Sequence, residues 1–487
     1  MGQHPKRLSS APEPAPAAWV GSPGCQGGRE GDELSGGGVA NIVGSLLAEG
    51  FYRTLRLLMW AGIAVHFHRV IVVGRERFPR RGATLLVANH PSTWSDVLLL
   101  YGMLGRRFHF LAEPGQFRPW PRALLIRSFG TLPVYLSESG RDATERNEAT
   151  FRRCRSHFDR GDAVAVFPEG MSRLDRSLMP LRRGAARLAL SYACGRGGDS
   201  SFAVVPVALH YADRVAFRRD VILSVGEPLT RSELEAEYGS PDPREIERLT
   251  ERMADLLRRL GNLADDPREG ELLGVLESAE EVRRPHRDAE TAGVLARAAV
   301  ALKRESGARR VRLERVAHAH ARALKALHVS DLAFAEPAPR SAPRAAWRAA
   351  ILALTAIPAL VGALLHAVPV IATRIALRTI PYGPSQVAFA RITSGFLFIT
   401  LTYAGLAWIL AAYFHAPPVM VLSTLAACAA LGVVALAYWD ALRPTLERRR
   451  VSRLARRHPG LVARARLSGE ALGRWIDAML RDPGRDR

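Results

Sequence analysis

Hydrophobic and polar positions change their rhythm four times along the chain. Residues 1–38 have no apolar period and are rich in Pro, Gly, Ser and Ala, as in "SAPEPAPAA" and "ELSGGG". Such a stretch buries too little apolar surface to offset chain entropy, so a disordered tail is expected. Residues 39–69 read as a helix with an apolar run from Leu57 to Phe67, bracketed by Arg53, Arg56 and Arg69. That run is shorter than the ~20 residues of a bilayer span, so either an interfacial helix on anionic headgroups or a helix packed on the domain behind it is expected, with His66 and His68 at the membrane interface. From 70 to 261, short β-branched runs alternate with helical stretches. The strands expected are Val70–Val73, Thr84–Ala88, Ala163–Phe167, Val204–Leu209 and Val221–Val225. Helices are expected over Asp142–Phe158 and Arg183–Tyr192, and a closing one from Ile246, Leu249, Met253, Leu257 and Leu260. The alternation predicts an α/β fold with a helix-flanked sheet, whose ligands gather at the carboxyl ends of its strands.

Residues 262–340 are charged and helical, a linker region ending in "AEPAPRSAPR". Beyond it, Ala349–Thr373, Ile392–Phe414 and Val419–Trp439 contain no Asp, Glu, Lys or Arg and are long enough to span a membrane. A membrane-embedded region over 341–442 is therefore expected, with the last two segments forming a hairpin closed by "HAPP". Arginines crowd the other ends: Arg344 and Arg348, then Arg374, Arg378 and Arg391, then Arg443 and Arg448 to Arg450. The positive-inside rule puts all three groups on the cytoplasmic side. Ala349–Thr373 must then enter and leave on one face, as a re-entrant pair broken near Pro358, Gly362 and Pro369, or as short spans. Residues 443–487 read as a basic tail, a solvated or lipid-facing helix.

The chain of 487 residues carries a formal charge of +21, nearly all of it arginine; the lysines are Lys6, Lys303 and Lys325. Anionic lipid or phosphorylated small molecules suit that charge. Nucleic acid is not expected, because zinc-finger and ribonucleoprotein signatures are missing. Cys25, Cys154, Cys194 and Cys428 are scattered, without metal-site spacing, so neither disulfides nor a metal is predicted. The arginine-heavy, lysine-poor composition is that of a GC-rich bacterial genome, which would place the protein in an inner membrane.

Two stretches carry chemistry. "LLVANHPSTWSD" puts His90 at the carboxyl end of a strand, with Asp96 following after five residues at the start of a helix. Neutral imidazole takes a proton from a hydroxyl near pH 7, and a carboxylate on its other nitrogen fixes the tautomer. A capping aspartate beside a surface histidine has the same spacing. "AVAVFPEGMSR" similarly ends a strand at Glu169, with Gly170 permitting a tight turn and Ser172, Arg173, Arg182 and Arg187 following. Guanidinium groups suit phosphate oxygens. No G-x-S-x-G elbow occurs, so a serine acyl-enzyme is not expected.

Taken in order, "NHPSTWSD", "GTLPVY", "VFPEGMSR" and "VVPVALHY" resemble the membrane-bound glycerolipid O-acyltransferases, which acylate glycerol 3-phosphate or 1-acylglycerol 3-phosphate. The resemblance spans roughly residues 70–230. It implies an acyltransferase domain over 70–261 with the mixed sheet of that family. It further implies His90 as general base, Asp96 as its orienting partner, and Glu169 as a residue that helps hold the acceptor. Gly170, Ser172, Arg173, Arg182 and Arg187 would complete the substrate site. The donor would be acyl-CoA or acyl-carrier protein, with no cofactor and no metal. The chain departs from the common pattern by having five residues rather than four between His90 and Asp96, Leu136 where many members carry arginine, and Ser172 in place of another. Five residues, and a hydrophobic C-terminal region, resemble the branch acting on glycerol 3-phosphate or dihydroxyacetone phosphate. An acyl tunnel lined by Trp94, Leu98, Phe108 and Phe110, opening toward the bilayer, is expected. The other class of reading is an inactive acyltransferase-like scaffold or a transporter, against which stand an intact His90 and Asp96 and apolar segments free of charge.

Overall fold

In the computed structural model, residues 50–480 are described except 51–52, 55, 118–122, 124–125, 127–129, 136–140, 173–175, 196, 262, 284–301, 303–304, 306, 330 and 335–341. The tail expected over 1–38, Leu136 and Arg173 lie outside the described residues. The chain divides into two compact units, Met1–Leu58 and Met59–Arg487. The described residues of the first are helical, with Thr54 donating to the Gly50 carbonyl at 2.9 Å. The second unit holds the sheet and the apolar helices.

Eight strands form one mixed sheet. In chain order they are β1 (Val70–Val73), β2 (Thr84–Ala88), β3 (Phe108–Ala112), β4 (Leu132–Pro133), β5 (Ala163–Val166), β6 (Ala203–Tyr211), β7 (Val221–Val225) and β8 (Leu229–Thr230). Their order across the sheet is β1-β7-β6-β2-β5-β3-β4, with β8 on β6. The pairs β6–β7 and β6–β8 are antiparallel and the rest are parallel. Central β2 is buried at every residue, which is why it reads as a continuous apolar run. Strands β3, β4 and β8 are not evident in the hydrophobic pattern. In β3 the polar His109 interrupts the run, and two-residue strands carry no period.

The pleat of β2 sends Leu85 and Val87 to one face, where they join a core with Phe151, Cys154, Phe158, Leu188, Tyr192, Phe202, Leu249 and Leu257. This face is covered by helices Arg141–Asp159, Gly184–Ala193 and Pro243–Gly261. Leu98, Phe108 and Phe110, expected along an open tunnel, are instead packed core residues at 6%, 1% and 2% exposure. Phe108 touches Phe78 and Phe110, which in turn stacks beside Phe167.

Two expectations are corrected outside the sheet. The basic tail is no free helix. The Pro459–Leu480 helix packs with Pro267–Arg283 and Gly307–Leu327 of the linker region, burying Leu272, Leu276, Leu313, Leu472 and Ile476 together. A second cluster joins Leu327 to Val451 and Val462, and His320 donates or accepts at both ring nitrogens, to Ser468 at 2.8 Å and Asp331 at 2.6 Å. His66, expected at the membrane interface, is buried within the fold, while His68 is exposed. His66 is buried edge-on to Phe67 and Phe217, and His68 pairs with Asp220 at 2.9 Å.

Three helices have the length and composition of membrane spans: Ala346–Leu365, Val387–Tyr413 and Pro418–Arg457. Their outward side chains are apolar and exposed, Leu354, Ile357, Trp408 and Val419 among them. The hairpin follows the sequence expectation, with its arginine-bearing ends at the α/β domain. Arg391 donates to the Val215 carbonyl at 2.8 Å, Arg218 pairs with Asp440, and Arg348 donates to the Ala441 carbonyl at 3.1 Å. The first segment runs straight through Pro358 and Gly362 and breaks at His366, followed by a shorter helix, Ala367–Thr379. Thirteen residues rise only about 20 Å, less than the ~30 Å hydrocarbon core, so this piece suits a re-entrant arm. Gly362 lets the first apolar helix approach the last closely: an added Cβ would lie 2.1 Å from the Leu431 carbonyl oxygen.

Gly362→Val is therefore expected to lower the thermal midpoint of the detergent-solubilised protein by several degrees, whereas Gly405→Val, with open space around it, leaves it within about a degree. Equal midpoints would show that the helices do not meet at Gly362. His66 gives a second expectation. Burial first, and then the charges of Arg391 and Arg218, push its pKa down to about 3. The unfolded chain binds a proton there as pH falls below about 6.5 and the folded chain does not. Stability is thus lost on acidification, by about 2 kcal/mol between pH 7 and pH 5 from this group. In His66→Phe that part of the pH dependence should vanish from denaturant unfolding curves; an unaltered slope would mean His66 is not a buried neutral ring.

Candidate active site

His90 and Asp96 meet because β2 delivers its last residue, Ala88, to the mouth of a sharp turn. Asn89 secures that end by mimicking a strand residue: its side chain donates to the Leu209 carbonyl at 3.0 Å and accepts from the Leu209 N–H at 2.7 Å. The chain reverses at Ser92 and enters the Thr93–Met103 helix. Thr93 has φ 32°, a conformation that β-branched residues rarely adopt, and its hydroxyl is tied to the Ser172 hydroxyl at 2.7 Å. From the first turn of that helix Asp96 reaches back in two directions. Its Oδ2 accepts from the Ser92 backbone N–H at 2.7 Å and from His90 Nδ1 at 2.9 Å. The capping and orienting roles, alternatives in sequence, are both filled by one carboxylate.

Asp96 is fully buried, and its Oδ1 accepts from the Tyr211 hydroxyl at 2.5 Å. Tyr211, the last residue of β6, was not singled out as a site residue from sequence. Only the adjacency of β6 to β2 brings it there, and the one signal was its place at the end of the "VVPVALHY" block. Burial and the Asp96 charge raise the Tyr211 pKa well above its ordinary value, so it remains a neutral donor. A carboxylate accepts only, so the His90 proton sits on Nδ1 and Nε2 keeps its lone pair. The imidazole stacks on Phe167, centroids 4.0 Å apart, and its side chain keeps 15% exposure.

Glu169 occupies a different place from the one expected. Its Oε1 accepts from the His90 backbone N–H at 2.7 Å and its Oε2 from Met179 N–H at 3.0 Å. Burial raises its pKa, opposed by those two hydrogen bonds. Glu169 thus ties His90 to the 178–182 segment, each of its oxygens accepting one backbone hydrogen bond. Gly170 turns at φ 75°, with its N–H donated to the Phe167 carbonyl at 3.1 Å. A Cβ there would meet Arg182 Nε at 2.5 Å, so the guanidinium lies directly against the turn. Ser172 is brought to Thr93 as described. Arg187 is not brought in: it is half-exposed on the Gly184–Ala193 helix, 3.6 Å from Glu148. His210, next to Tyr211 on β6, pairs with Glu277 of the linker region, as does Arg176.

The membrane-embedded region touches the same motif. Ser92 Oγ donates to the Ser385 carbonyl at 3.3 Å, and Trp94 stacks on Phe389 at 5.3 Å and 26°. Of the expected tunnel residues, Trp94 alone faces this region.

Comparison with known proteins agrees with the geometry. Residues 69–210 match the family model described as Acyltransferase. Glycerol-3-phosphate O-acyltransferase 2 of Saccharomyces cerevisiae is 30% identical over 139 residues, 28% of this chain and 18% of that protein. Glycerol-3-phosphate O-acyltransferase 1 of the same yeast is 29% identical over 93 residues, 19% of this chain and 12% of that protein. The matched stretches thus span less than a fifth of either relative's length. A solved structure, the 1-acyl-sn-glycerophosphate acyltransferase of Thermotoga maritima, aligns over 44% of this chain and 78% of its own, at 18% identity and a TM-score of 0.33. Residues 69–210 thus match an acyltransferase domain, and part of that stretch is similar to glycerol-3-phosphate O-acyltransferases.

Tyr211→Phe removes one of the donors on a buried carboxylate. It should cost about 1–2 kcal/mol of folding stability and reduce thioester turnover about tenfold. Calorimetry and a thiol-release assay read the two quantities; if neither moves, the phenol is not part of the relay.

Proposed function

We propose that this protein transfers a fatty acyl group from acyl-CoA or acyl-carrier protein to a hydroxyl of glycerol 3-phosphate, or of dihydroxyacetone phosphate or lysophosphatidate, at a membrane surface. The observation that carries the reading is the Tyr211–Asp96–His90 relay, which ends on an imidazole nitrogen at the carboxyl ends of β2 and β6. In the reaction, His90 Nε2 takes the proton of the acceptor hydroxyl as its oxygen attacks the thioester carbonyl. Asp96 stabilises the imidazolium that forms. The tetrahedral intermediate then expels the thiolate, and the imidazolium returns the proton to sulfur. No acyl-enzyme is needed, because a thiolate leaves far more readily than an alkoxide.

The Arg182 guanidinium against the Gly170 turn supports a role for it as a cation for the acceptor's phosphate. The Gly170 N–H is spent within its own turn, so it is not the donor for the oxyanion. The apolar helices hold the domain where lipid substrates and products partition, and their arginine-rich ends on the domain's side favour a cytoplasmic catalytic face in a bacterial inner membrane.

The test is acyl transfer by purified protein in detergent from a labelled long-chain thioester, with the three phosphorylated acceptors in competition. His90→Ala should abolish label transfer, a loss of at least ~10³-fold, without shifting the thermal midpoint by more than a degree or two. Retention of most activity in His90→Ala, or transfer to none of the acceptors, would overturn the reading. Arg182→Gln should raise the KM for the phosphorylated acceptor about tenfold with little change in the KM for the thioester.

A further inference from the structure

At the opposite end of the sheet from His90, three side chains converge that the proposed reaction does not use. His109 is the second residue of β3, His157 lies in the last turn of the Arg141–Asp159 helix, and Asp162 immediately precedes β5. These strands run parallel, so the three residues gather at their amino ends, whereas His90 and Glu169 lie beyond carboxyl ends. Asp162 Oδ2 is 2.9 Å from His157 Nδ1 and 3.6 Å from His109 Nε2, and the three donor atoms all lie within 4.8 Å of one another. The imidazole rings are 3.6 Å apart. Each residue is partly buried, so an ion held there would keep a position open to water.

We propose that His109 Nε2, His157 Nδ1 and Asp162 Oδ2 form a binding site for a divalent transition-metal ion of the zinc type. Two imidazoles and a carboxylate are a ligand set such ions prefer, while calcium and magnesium favour oxygen. Ligand atoms bound at about 2.0–2.1 Å around a tetrahedral ion lie about 3.3 Å apart. The two separations at Asp162, 2.9 and 3.6 Å, bracket that value.

The surroundings fix the tautomer that an ion needs at His109. His109 Nδ1 donates to the Gly130 carbonyl at 3.1 Å, which leaves the Nε2 lone pair aimed at the cluster. Gly130 has φ 65°, and a Cβ there would lie 2.6 Å from that Nδ1, so glycine is required for the ring to be held in this way. On the other side, Arg160 lies 2.8 Å from His157 Nδ1 and 3.5 Å from Asp162. Without an ion, His157 Nδ1 donates to the Asp162 carboxylate, and an ion that enters displaces that proton. Arg160 thus fills the place of a cation, and its side chain, 55% exposed, can withdraw into solvent as the ion enters. The ion would staple the end of one covering helix to the starts of β3 and β5, a structural role remote from the catalytic histidine.

The experiment uses the full chain in detergent, with any purification tag removed and the protein stripped with chelator at neutral pH. Cobalt(II) is titrated and followed by its visible ligand-field bands, and zinc(II) is then added to displace it. One equivalent of cobalt with tetrahedral-type bands, bleached by zinc, is expected, together with a rise of several degrees in thermal midpoint on adding zinc alone. In His109→Gln and Asp162→Asn, cobalt affinity should fall at least about 100-fold and the zinc-induced rise should disappear. The stripped variants' own midpoints show whether they fold, and His157→Gln provides a third ligand variant where one does not. Absence of stoichiometric cobalt binding in the parent, or binding undiminished in folded ligand variants, would overturn the proposal. Acyl transfer is not read, so the outcome stands apart from that of the transfer assay.

Discussion

The Asp96 carboxylate is the constraint on which the site depends. A buried anion costs several kcal/mol unless donors replace its water, and it finds them in three separate parts of the chain. Ser92 supplies a backbone N–H at the helix start, His90 a ring N–H at the end of β2, and Tyr211 a hydroxyl at the end of β6. The charge therefore cannot be accommodated until β2, β6 and the Thr93–Met103 helix are in register. Glu169 repeats the device one strand away, tying the His90 backbone to Met179. Between them the two carboxylates hold the histidine by its backbone and by its ring, with Phe167 as the floor.

This arrangement is also a way of spending stability on position. Thr93 is held at a positive φ, and Ser95 carries a buried hydroxyl with no partner, both within the first turn of one helix. Each is the kind of local cost that persists only where the surroundings over-determine the geometry. Here the surroundings are Asn89 on β6, Ser172 on Thr93 and Asp96 on Ser92. The longer spacing between His90 and Asp96 does not loosen the pair, because the turn at Ser92 and Thr93 folds the intervening residues back.

Much of this was legible in the sequence, and the rest was not for identifiable reasons. Runs such as "TLLVA" and "AVAV" announce strands buried on both faces, and His90, Asp96 and Glu169 stand at their ends. Tyr211 could not be read as a partner of Asp96, since the contact follows from sheet order, which local periodicity does not encode. The acceptor-holding role of Glu169 came from a resemblance, and its two backbone donors, His90 and Met179, lie in separate parts of the chain and leave no local signal. The break at His366 falls between Gly362 and Pro369, where the stronger breakers had drawn attention; neighbouring helices carry the chain through Pro358. His109, His157 and Asp162 come from a strand, a helix and a turn, so their convergence leaves no spacing to notice.

The junction of the catalytic and apolar regions bears on how substrates arrive. Arg218–Asp440, Arg391 to Val215 and Arg348 to Ala441 fasten the helical ends to the α/β domain and to each other. The segment between the Ala367–Thr379 helix and the hairpin then lies on the His90–Asp96 motif itself, through Ser385 on Ser92 and Phe389 on Trp94. Arg218 is wedged further, donating to the Ala64 and Phe67 carbonyls behind His66. A tether that merely concentrated the enzyme at a bilayer would need none of these contacts. With them, the position of His90 relative to the apolar helices is set by packing.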